Sequence, residues 1–287
     1  MNHNQFVKSH ALGNDYIVLE PDRLTFELKA ESIRRICDRN HGVGSDGILA
    51  LTPAAKADFG VRIFNPDGSE AEKSGNGLRI FAKFLYDHGH ASNESFSVAT
   101  LGGIVTCTIF AVKKKVQAVR VDMGIATFQS QQIPVTGAAR EVLNEPIEIG
   151  GRHLRINAVG IGNPHCVVFV DKLEDHKLLE FGPSLEHHAL FPHRTNVQFA
   201  QIISHNLIRA RIWERGAGHT LASGSSACAV AAAAVRRGLV DRSVTIEMEG
   251  GSLQIEVSDT FRVLMSGPAS EICTGSFSED LLASLSE

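Results

Sequence analysis

The chain is 287 residues long, 43% apolar and 21% charged, with a formal net charge of −4. Those values describe a soluble globular chain of about two domains, each large enough for its own core, and leave no footprint for nucleic acid or an anionic membrane. Five cysteines without a CxxC pair argue against both a disulfide framework and a zinc site, so no metal is expected.

The N-terminal Met1–Gln5 is polar and leads into a strand, without a signal-peptide pattern. Phe6–His10 and Asp15–Leu19 read as strands, and Glu31–Arg39 as a helix with Ile33 and Ile36 on one face. Gly42-Val43-Gly44-Ser45-Asp46-Gly47 matches G-x-G-x-x-G, yet it follows a helix and precedes the strand Ile48–Leu51. A dinucleotide site needs strand, loop, then helix, so this is not a nucleotide loop. Phe59–Phe64 is a strand and Asn65-Pro66-Asp67-Gly68 a turn. Leu78–His88 is a helix closed by Gly89, followed by strands Gly103–Phe110 and Val116–Met123 with Lys113–Lys115 as a solvated turn between them.

A second helix, Ser225–Arg237, closes at Gly238 and is followed by strands Val244–Glu249 and Ser252–Val257. Its stretch Ala227–Val235 is apolar around the whole circumference, which predicts burial within its own domain, and is far too short to span a bilayer. A cytoplasmic location without membrane contact is therefore expected.

The two halves repeat. Leu12-Gly13-Asn14 returns as Ile161-Gly162-Asn163, Arg62-Ile63-Phe64-Asn65 as Arg211-Ile212-Trp213-Glu214, and Ser74-Gly75-Asn76 as Ser223-Gly224-Ser225, each 149 residues later. Gly102-Gly103 returns as Gly250-Gly251, off by one residue. Two copies of one domain about a pseudo-two-fold axis would present matching groups to opposite faces of a small ligand, an arrangement suited to chemistry at a stereocentre. No Pro-, Gly- or Ser-rich linker separates them. The repeat alone sets the domains at residues 1–123 and 124–267, with the tail 268–287 packing back on the first.

Each Ser-Gly dipeptide stands directly before a helix, whose first-turn N–H groups have no internal partner and carry the positive end of the dipole. Two such starts could hold one carboxylate, with Ser74 and Ser223 beside the neighbouring carbon. The competing reading makes both serines ordinary N-caps. Asn14, Asn65, Asn163 and Asn196 lie in Gly/Pro-marked loops, and Glu214 and Arg215 follow a strand. Together they supply amides, a carboxylate and a guanidinium, the groups that bind a substrate with both ammonium and carboxylate ends. Among thirteen histidines, His165 is the best general-base candidate because it adjoins a repeat anchor, while His187, His188 and His193 read as surface loop residues.

His10-Ala11-Leu12-Gly13-Asn14-Asp15-Tyr16, Phe64-Asn65-Pro66-Asp67-Gly68-Ser69, Gly162-Asn163-Pro164-His165-Cys166 and Glu214-Arg215-Gly216-Ala217-Gly218-His219-Thr220 resemble the diaminopimelate epimerase family nearly end to end. The resemblance implies an α+β chain of two pseudo-symmetric domains, each a barrel-like sheet around a central helix. It implies interconversion of LL- and meso-diaminopimelate, in lysine and peptidoglycan precursor synthesis, without pyridoxal phosphate or any other cofactor. Carried over by motif, Asn14, Asn65, Asn163, Asn196, Glu214 and Arg215 match substrate contacts. Gly75-Asn76 and Gly224-Ser225 match the helix starts that hold the reacting carboxylate, and His165 with Glu214 the pair assisting the second acid–base residue.

The family's two catalytic cysteines fall on Ser74 and Ser223. A thiol ionises near pH 8.5, whereas a hydroxyl is a much weaker acid and needs a partner. Three readings stay open. The chain is an engineered Cys→Ser epimerase; or a same-fold isomerase or dehydratase with Ser223, His165 and Glu214 as a triad-like relay; or a non-catalytic amino-acid-binding protein. The expected partner is a small amino-diacid. Oligomeric state, a homodimer included, is left open.

Overall fold

The computed structural model describes residues 3–285. In chain order it runs β1 (Gln5–Ala11), β2 (Asn14–Leu19), α1 (Ala30–Cys37), β3 (Ile48–Thr52), β4 (Phe59–Phe64), β5 (Glu70–Ala71), α2 (Gly75–Asp87), β6 (Ser95–Thr100), β7 (Gly103–Val112) and β8 (Lys115–Ile125). It continues through β9 (Glu145–Ile149), β10 (Arg152–Gly160), β11 (Pro164–Phe169), α3 (Asp175–Glu186), β12 (Asn196–Ser204), β13 (Leu207–Glu214), β14 (Gly218–Thr220) and α4 (Gly224–Arg236). It ends with β15 (Ser243–Met248), β16 (Gly251–Val257), β17 (Arg262–Gly267), β18 (Ser270–Ser276) and α5 (Glu279–Leu285). The elements fall into two compact units, one running up to Val121 and resuming at Gly267, the other spanning Asp122–Ser266. No helix among the described residues is long and apolar enough to cross a membrane.

Strand pairing in the first unit is β18-β1-β2-β3-β4-β6-β7-β8. It is antiparallel throughout except for the parallel pairs β2–β3 and β4–β6. The second unit repeats this order as β9-β10-β11-β12-β13-β15-β16-β17, with β11–β12 and β13–β15 parallel. In each unit a helix bridges the first parallel pair, α1 in one and α3 in the other, as parallel strands require a crossover. The tail, which has no counterpart by sequence offset, has one in topology: β18 lies beside β1 as β9 lies beside β10.

The repeat extends to single backbone bonds. Gly102 N donates to Glu72 O and Gly250 N to Leu221 O, each at 2.8 Å. Leu78 N donates to Ser74 O, and Ala227 N to Ser223 O. Gly13 and Gly162, at equivalent loop positions, have φ of +89° and +82°, a region costly for a residue with a Cβ.

Each unit wraps its sheet around one helix. α4 packs against β10, β11, β12, β13, β15 and β16, and every residue from Ala227 to Ala234 is buried. Its alanines make this possible, because their small side chains let strands approach from all sides without sacrificing helix propensity. α2 contacts β1, β2 and β7 with larger side chains, burying Leu78, Phe81, Phe84 and Leu85. A second layer covers the outside. In the first unit Ile33 and Ile36 of α1 pack with Phe6, Phe277 and Leu285; in the second, Leu178, Phe181 and Leu185 of α3 pack with Phe199 and Val197.

Several boundaries differ from the sequence reading. α2 begins at Gly75 rather than Leu78, because the Ser74 side chain caps Gly77 N and holds Gly-Asn-Gly in a helical turn those residues do not favour. α1 stops at Cys37 rather than Arg39; Asp38 turns extended and its carboxylate accepts from the Asn40 and His41 amides. α3 carries Gly182 and Pro183, which read as breakers. Gly182 is needed there, since a Cβ would stand 2.8 Å from the Trp213 ring lying on it. Lys113 and Lys114 form the expected β7–β8 turn with φ of +50° and +63°, as two-residue hairpins of that hand require.

The all-round burial of α4 gives a direct test. Ala231→Leu adds three carbons where no strand can retreat, so it should destabilise by about 1–3 kcal/mol. The urea midpoint should fall with unchanged m-value; an unaltered midpoint would show that α4 has free space beside it.

Candidate active site

In the first unit the functional residues collect at the start of α2. Ser74 is extended (φ −136°, ψ 118°), and its Oγ accepts from Gly77 N at 3.0 Å. The Tyr16 hydroxyl lies 3.2 Å from the same oxygen. Asn76 donates to Asn14 Oδ1 (3.1 Å) and accepts at its own Oδ1 from Arg79 Nη2 (2.9 Å). Arg79, one turn into α2, is fully buried, and its Nη1 also reaches back to Gly75 O and its Nε reaches Pro268 O. A buried cation beside a helix N-terminus adds to the positive potential of the free amides, so this end of α2 favours an anion.

Asn14 is fixed by the loop whose glycines imitate a nucleotide motif. Asn14 Nδ2 donates to Asp46 Oδ2 (3.0 Å), and Arg39 Nη2 bridges Asp46 and Asp15, 2.7 Å from each. Lys8 adds a contact to Asp15 and donates to Gly44 O. Burial pushes the Asp15 carboxyl up, but Arg39 and Lys8 outweigh it and hold the group below the usual carboxylate range. The loop follows α1 and leads into β3, and it works as a clamp on Asn14. Asn65 stands apart from this network. Its Nδ2 donates to Ser69 Oγ (2.9 Å) inside the 65–68 turn, closed by Gly68 N to Asn65 O.

In the second unit Ser223 has the same extended backbone before α4 (φ −140°, ψ 126°) but makes no side-chain cap bond, although the residue is buried. The N-cap reading thus holds for Ser74 and not for Ser223. One turn further in, Ser226 Oγ accepts from Gln198 Nε2 (3.0 Å), which also lies 3.1 Å from His165 Nδ1. His165 Nε2 meets Asn163 Oδ1 at 2.7 Å. A carboxamide oxygen only accepts, so His165 carries its proton on Nε2 and takes the Gln198 donor on Nδ1. Parallel pairing sets His165 beside Asn196, whose Nδ2 donates to Pro164 O and whose Oδ1 accepts from Arg215 N. Arg215 Nη1 reaches His193 O.

His165 departs from the expectation of a general base. It is completely buried, and burial first, with the Arg215 charge second, drives it down to about 3. Both ring nitrogens are engaged by Asn163 and Gln198, so His165 does not link Ser223 to Glu214 in this arrangement. In this arrangement its Nε2–H fixes the Asn163 amide. Of the predicted residues, Asn163, His165, Asn196 and Arg215 come together, as do Asn14, Asn76 and Ser74 with its neighbour Tyr16. Gly224 and Ser225 form the first turn of α4.

Sequence reasoning missed four residues. Gln198 sits fully buried in an apolar strand, and its Oε1 has no partner among the described residues. Glu186, also buried, accepts from Trp213 Nε1 (2.7 Å) and Gly216 N (2.9 Å), which pins the turn carrying Glu214 and Arg215. Arg79 and Tyr16 were legible only as helix and strand residues. The one available signal was a charged or amide side chain inside an otherwise apolar periodic segment.

Solved structures place this architecture. The chain matches a probable proline racemase from Agrobacterium radiobacter K84 with a TM-score of 0.72 at 15% identity, covering 96% of this chain and 93% of that one. It matches methylitaconate-delta-isomerase with a TM-score of 0.65 at 12% identity, covering 98% and 96%. The fold is therefore the two-domain α+β class shared by such racemases and isomerases, as the sequence resemblance implied. Sequence comparison narrows it. The diaminopimelate epimerase family profile matches residues 6–129 and 157–272. The chain is 48% identical to diaminopimelate epimerase 2 of Nostoc sp. over 97% of each chain, and 44% identical to the Moorella thermoacetica diaminopimelate epimerase over 96% of this chain and 99% of that one. It belongs to the diaminopimelate epimerase family.

The His165 environment has a stability consequence. Folded His165 stays neutral down to about pH 3, whereas an unfolded imidazole binds a proton near pH 6.5. Its contribution is complete above pH 6.5 and is lost as pH falls toward 3, at up to about 1.4 kcal/mol per pH unit. Urea unfolding of the wild type and His165→Asn should show a stability gap that narrows between pH 7 and pH 4.5. An equal gap at both pH values would mean that His165 titrates normally.

Proposed function

We propose that the protein is a cofactor-independent epimerase that interconverts LL- and meso-diaminopimelate. The observation that carries the reading is the repeated half-site: two copies of one fold each place a serine directly before an anion-binding helix start. Family membership over nearly the whole chain supports the substrate. The reading includes a cytoplasmic location and a place in lysine and peptidoglycan precursor synthesis; a homodimer is compatible with it.

The reaction takes one proton from the α-carbon and returns another to its opposite face. As the α-C–H bond breaks, one serine oxygen accepts the proton, and the electron pair is delocalised onto the α-carboxylate. The free amides at Gly75-Asn76 and Gly224-Ser225 are suited to stabilising that developing charge. The other serine donates its hydroxyl proton to the opposite face, which inverts the centre. The acceptor side therefore enters with one negative charge and leaves neutral while the donor side does the reverse, and proton exchange with solvent returns the charge to its starting side, so no redox partner or leaving group is involved. Asn65, Asn163, Asn196 and Arg215 are assigned to the distal amino-acid end, with Arg215 opposite a carboxylate, and Asn14 and Glu214 to further substrate contacts.

Serine makes the chemical step harder than a thiol would, by a factor of ten for each 1.36 kcal/mol added to the barrier. LL-diaminopimelate in D₂O, followed by NMR, should give deuterium at the α-carbon together with the meso isomer. Ser74→Ala and Ser223→Ala should each slow epimerisation at least about 10²-fold. Loss of water or ammonia would point to an eliminating relative. Saturable binding without exchange would point to a binding protein, and either outcome rejects the epimerase.

A further inference from the structure

We infer that Tyr16 is a positioning residue for Ser74, its phenol holding the serine oxygen so that this oxygen can carry negative charge. The inference rests on the epimerase reading for its use in turnover, but the pairing itself rests on geometry alone. Tyr16 belongs to β2, is buried, and brings its hydroxyl 3.2 Å from Ser74 Oγ. Its ring is held there by the absence of a side chain at Gly47. A Cβ at that position would lie 2.7 Å from the ring and 2.4 Å from Phe64 O. The glycine that ends the 42–47 loop thus makes room for the phenol as well as leading into β3.

The chemistry explains why such a partner matters for serine. When Ser74 is to accept the substrate proton, its oxygen must first carry negative charge, and an isolated alkoxide at neutral pH is far too costly. Here that charge would meet two donors, Gly77 N–H at 3.0 Å and the Tyr16 O–H, at the positive end of α2. A phenol ionises near pH 10, so it is the stronger acid of the pair and donates to the alkoxide rather than receiving from it. Before turnover the pair therefore shares one proton and one negative charge, the proton lying mainly on Ser74 Oγ and the charge on the phenol oxygen; as the α-proton reaches Ser74 Oγ the shared proton passes to Tyr16, leaving two neutral hydroxyls. A thiolate at position 74 would need much less of this help, since its own pKa is near 8.5.

Two measurements test the inference, and they separate it from the reaction assignment. Tyr16→Phe keeps the ring and removes the donor. It should lower kcat for α-deuteration about 10²-fold with KM within a factor of two, and move the basic limb of the pH profile upward. In a Ser74→Cys background the same substitution should lose less than about 10-fold. An equal loss in both backgrounds, or none in the first, overturns the role.

The second readout needs no turnover. The chain has two tyrosines, so ¹³Cζ-labelled tyrosine gives two signals, and Tyr16 is the one missing in Tyr16→Phe. Its titration midpoint should move in Ser74→Ala and stay fixed in Ser223→Ala. A midpoint insensitive to Ser74→Ala overturns the pairing whether or not the protein turns over. Absence of exchange by the wild type with a Ser74-sensitive midpoint rejects the reaction and keeps the pair.

Discussion

A helix buried along its length still leaves its first-turn N–H groups without intrahelical partners, and in this fold that constraint locates the chemistry. α4 is enclosed by six strands of its own unit, and α2 is packed by β1, β2 and β7. Wrapping satisfies the apolar circumference but cannot satisfy the N-terminal amides, which must find a cap, water or an anion. Both units solve this at equivalent residues, with an extended serine followed by small residues: Gly75-Asn76-Gly77 in one, Gly224-Ser225-Ser226 in the other. Small residues let a ligand approach the amides closely, so the part of each helix hardest to bury is also the part best built to bind.

Around each helix start lies a polar layer that is rigid for a simple reason: nearly every buried group in it has a fixed partner. In the first unit the order runs Arg39 to Asp46, Asp46 to Asn14, Asn14 to Asn76 and Asn76 to Arg79. In the second it runs Ser226 to Gln198, Gln198 to His165 and His165 to Asn163. Removing one member of such a chain leaves its neighbour buried and unpaired, which costs more than the bond itself contributes. That is why His165 makes sense as a neutral spacer. A protonated imidazole here would face a buried amide donor on one side and the Arg215 charge nearby, with no carboxylate hydrogen-bonded to either nitrogen.

Much of this was legible in sequence, and the divide has a physical basis. Phe59–Phe64 and the β7–β8 hairpin announced themselves by alternation and turn residues, because local sterics decide them. The burial of α4 was readable from composition alone. α3 was not, since Gly182 and Pro183 oppose a helix locally and only the Trp213 ring packed on Gly182 explains their presence. The tail's role as a strand beside β1 was equally hidden, because its counterpart β9 lies at a different sequence offset. For the site, motif resemblance found the asparagines and serines. It did not find Gln198 or Glu186 and gave Tyr16 a place in a motif but no role, because the importance of each comes from which side chain it touches.

The two serines are equivalent in sequence and backbone yet unlike in environment, and that difference bears on how a symmetric fold performs an asymmetric task. Inversion of a stereocentre requires one group ready to accept a proton while the other is ready to give one. Two groups that share one negative charge can do this even in identical surroundings, and unlike surroundings decide which of them holds the charge. Ser74 Oγ sits between two donors, Gly77 N–H and the Tyr16 hydroxyl, which favours the charged oxygen. Ser223 Oγ makes no cap bond and lies in a buried position, which favours the neutral hydroxyl. Under the proposed epimerisation, this difference would make Ser74 the better acceptor and Ser223 the better donor. The repeat supplies two equivalent positions, and their surroundings differ between its copies: the Tyr16 hydroxyl meets Ser74 Oγ, whereas in the second unit the Gln198–His165 pair engages Ser226 rather than Ser223.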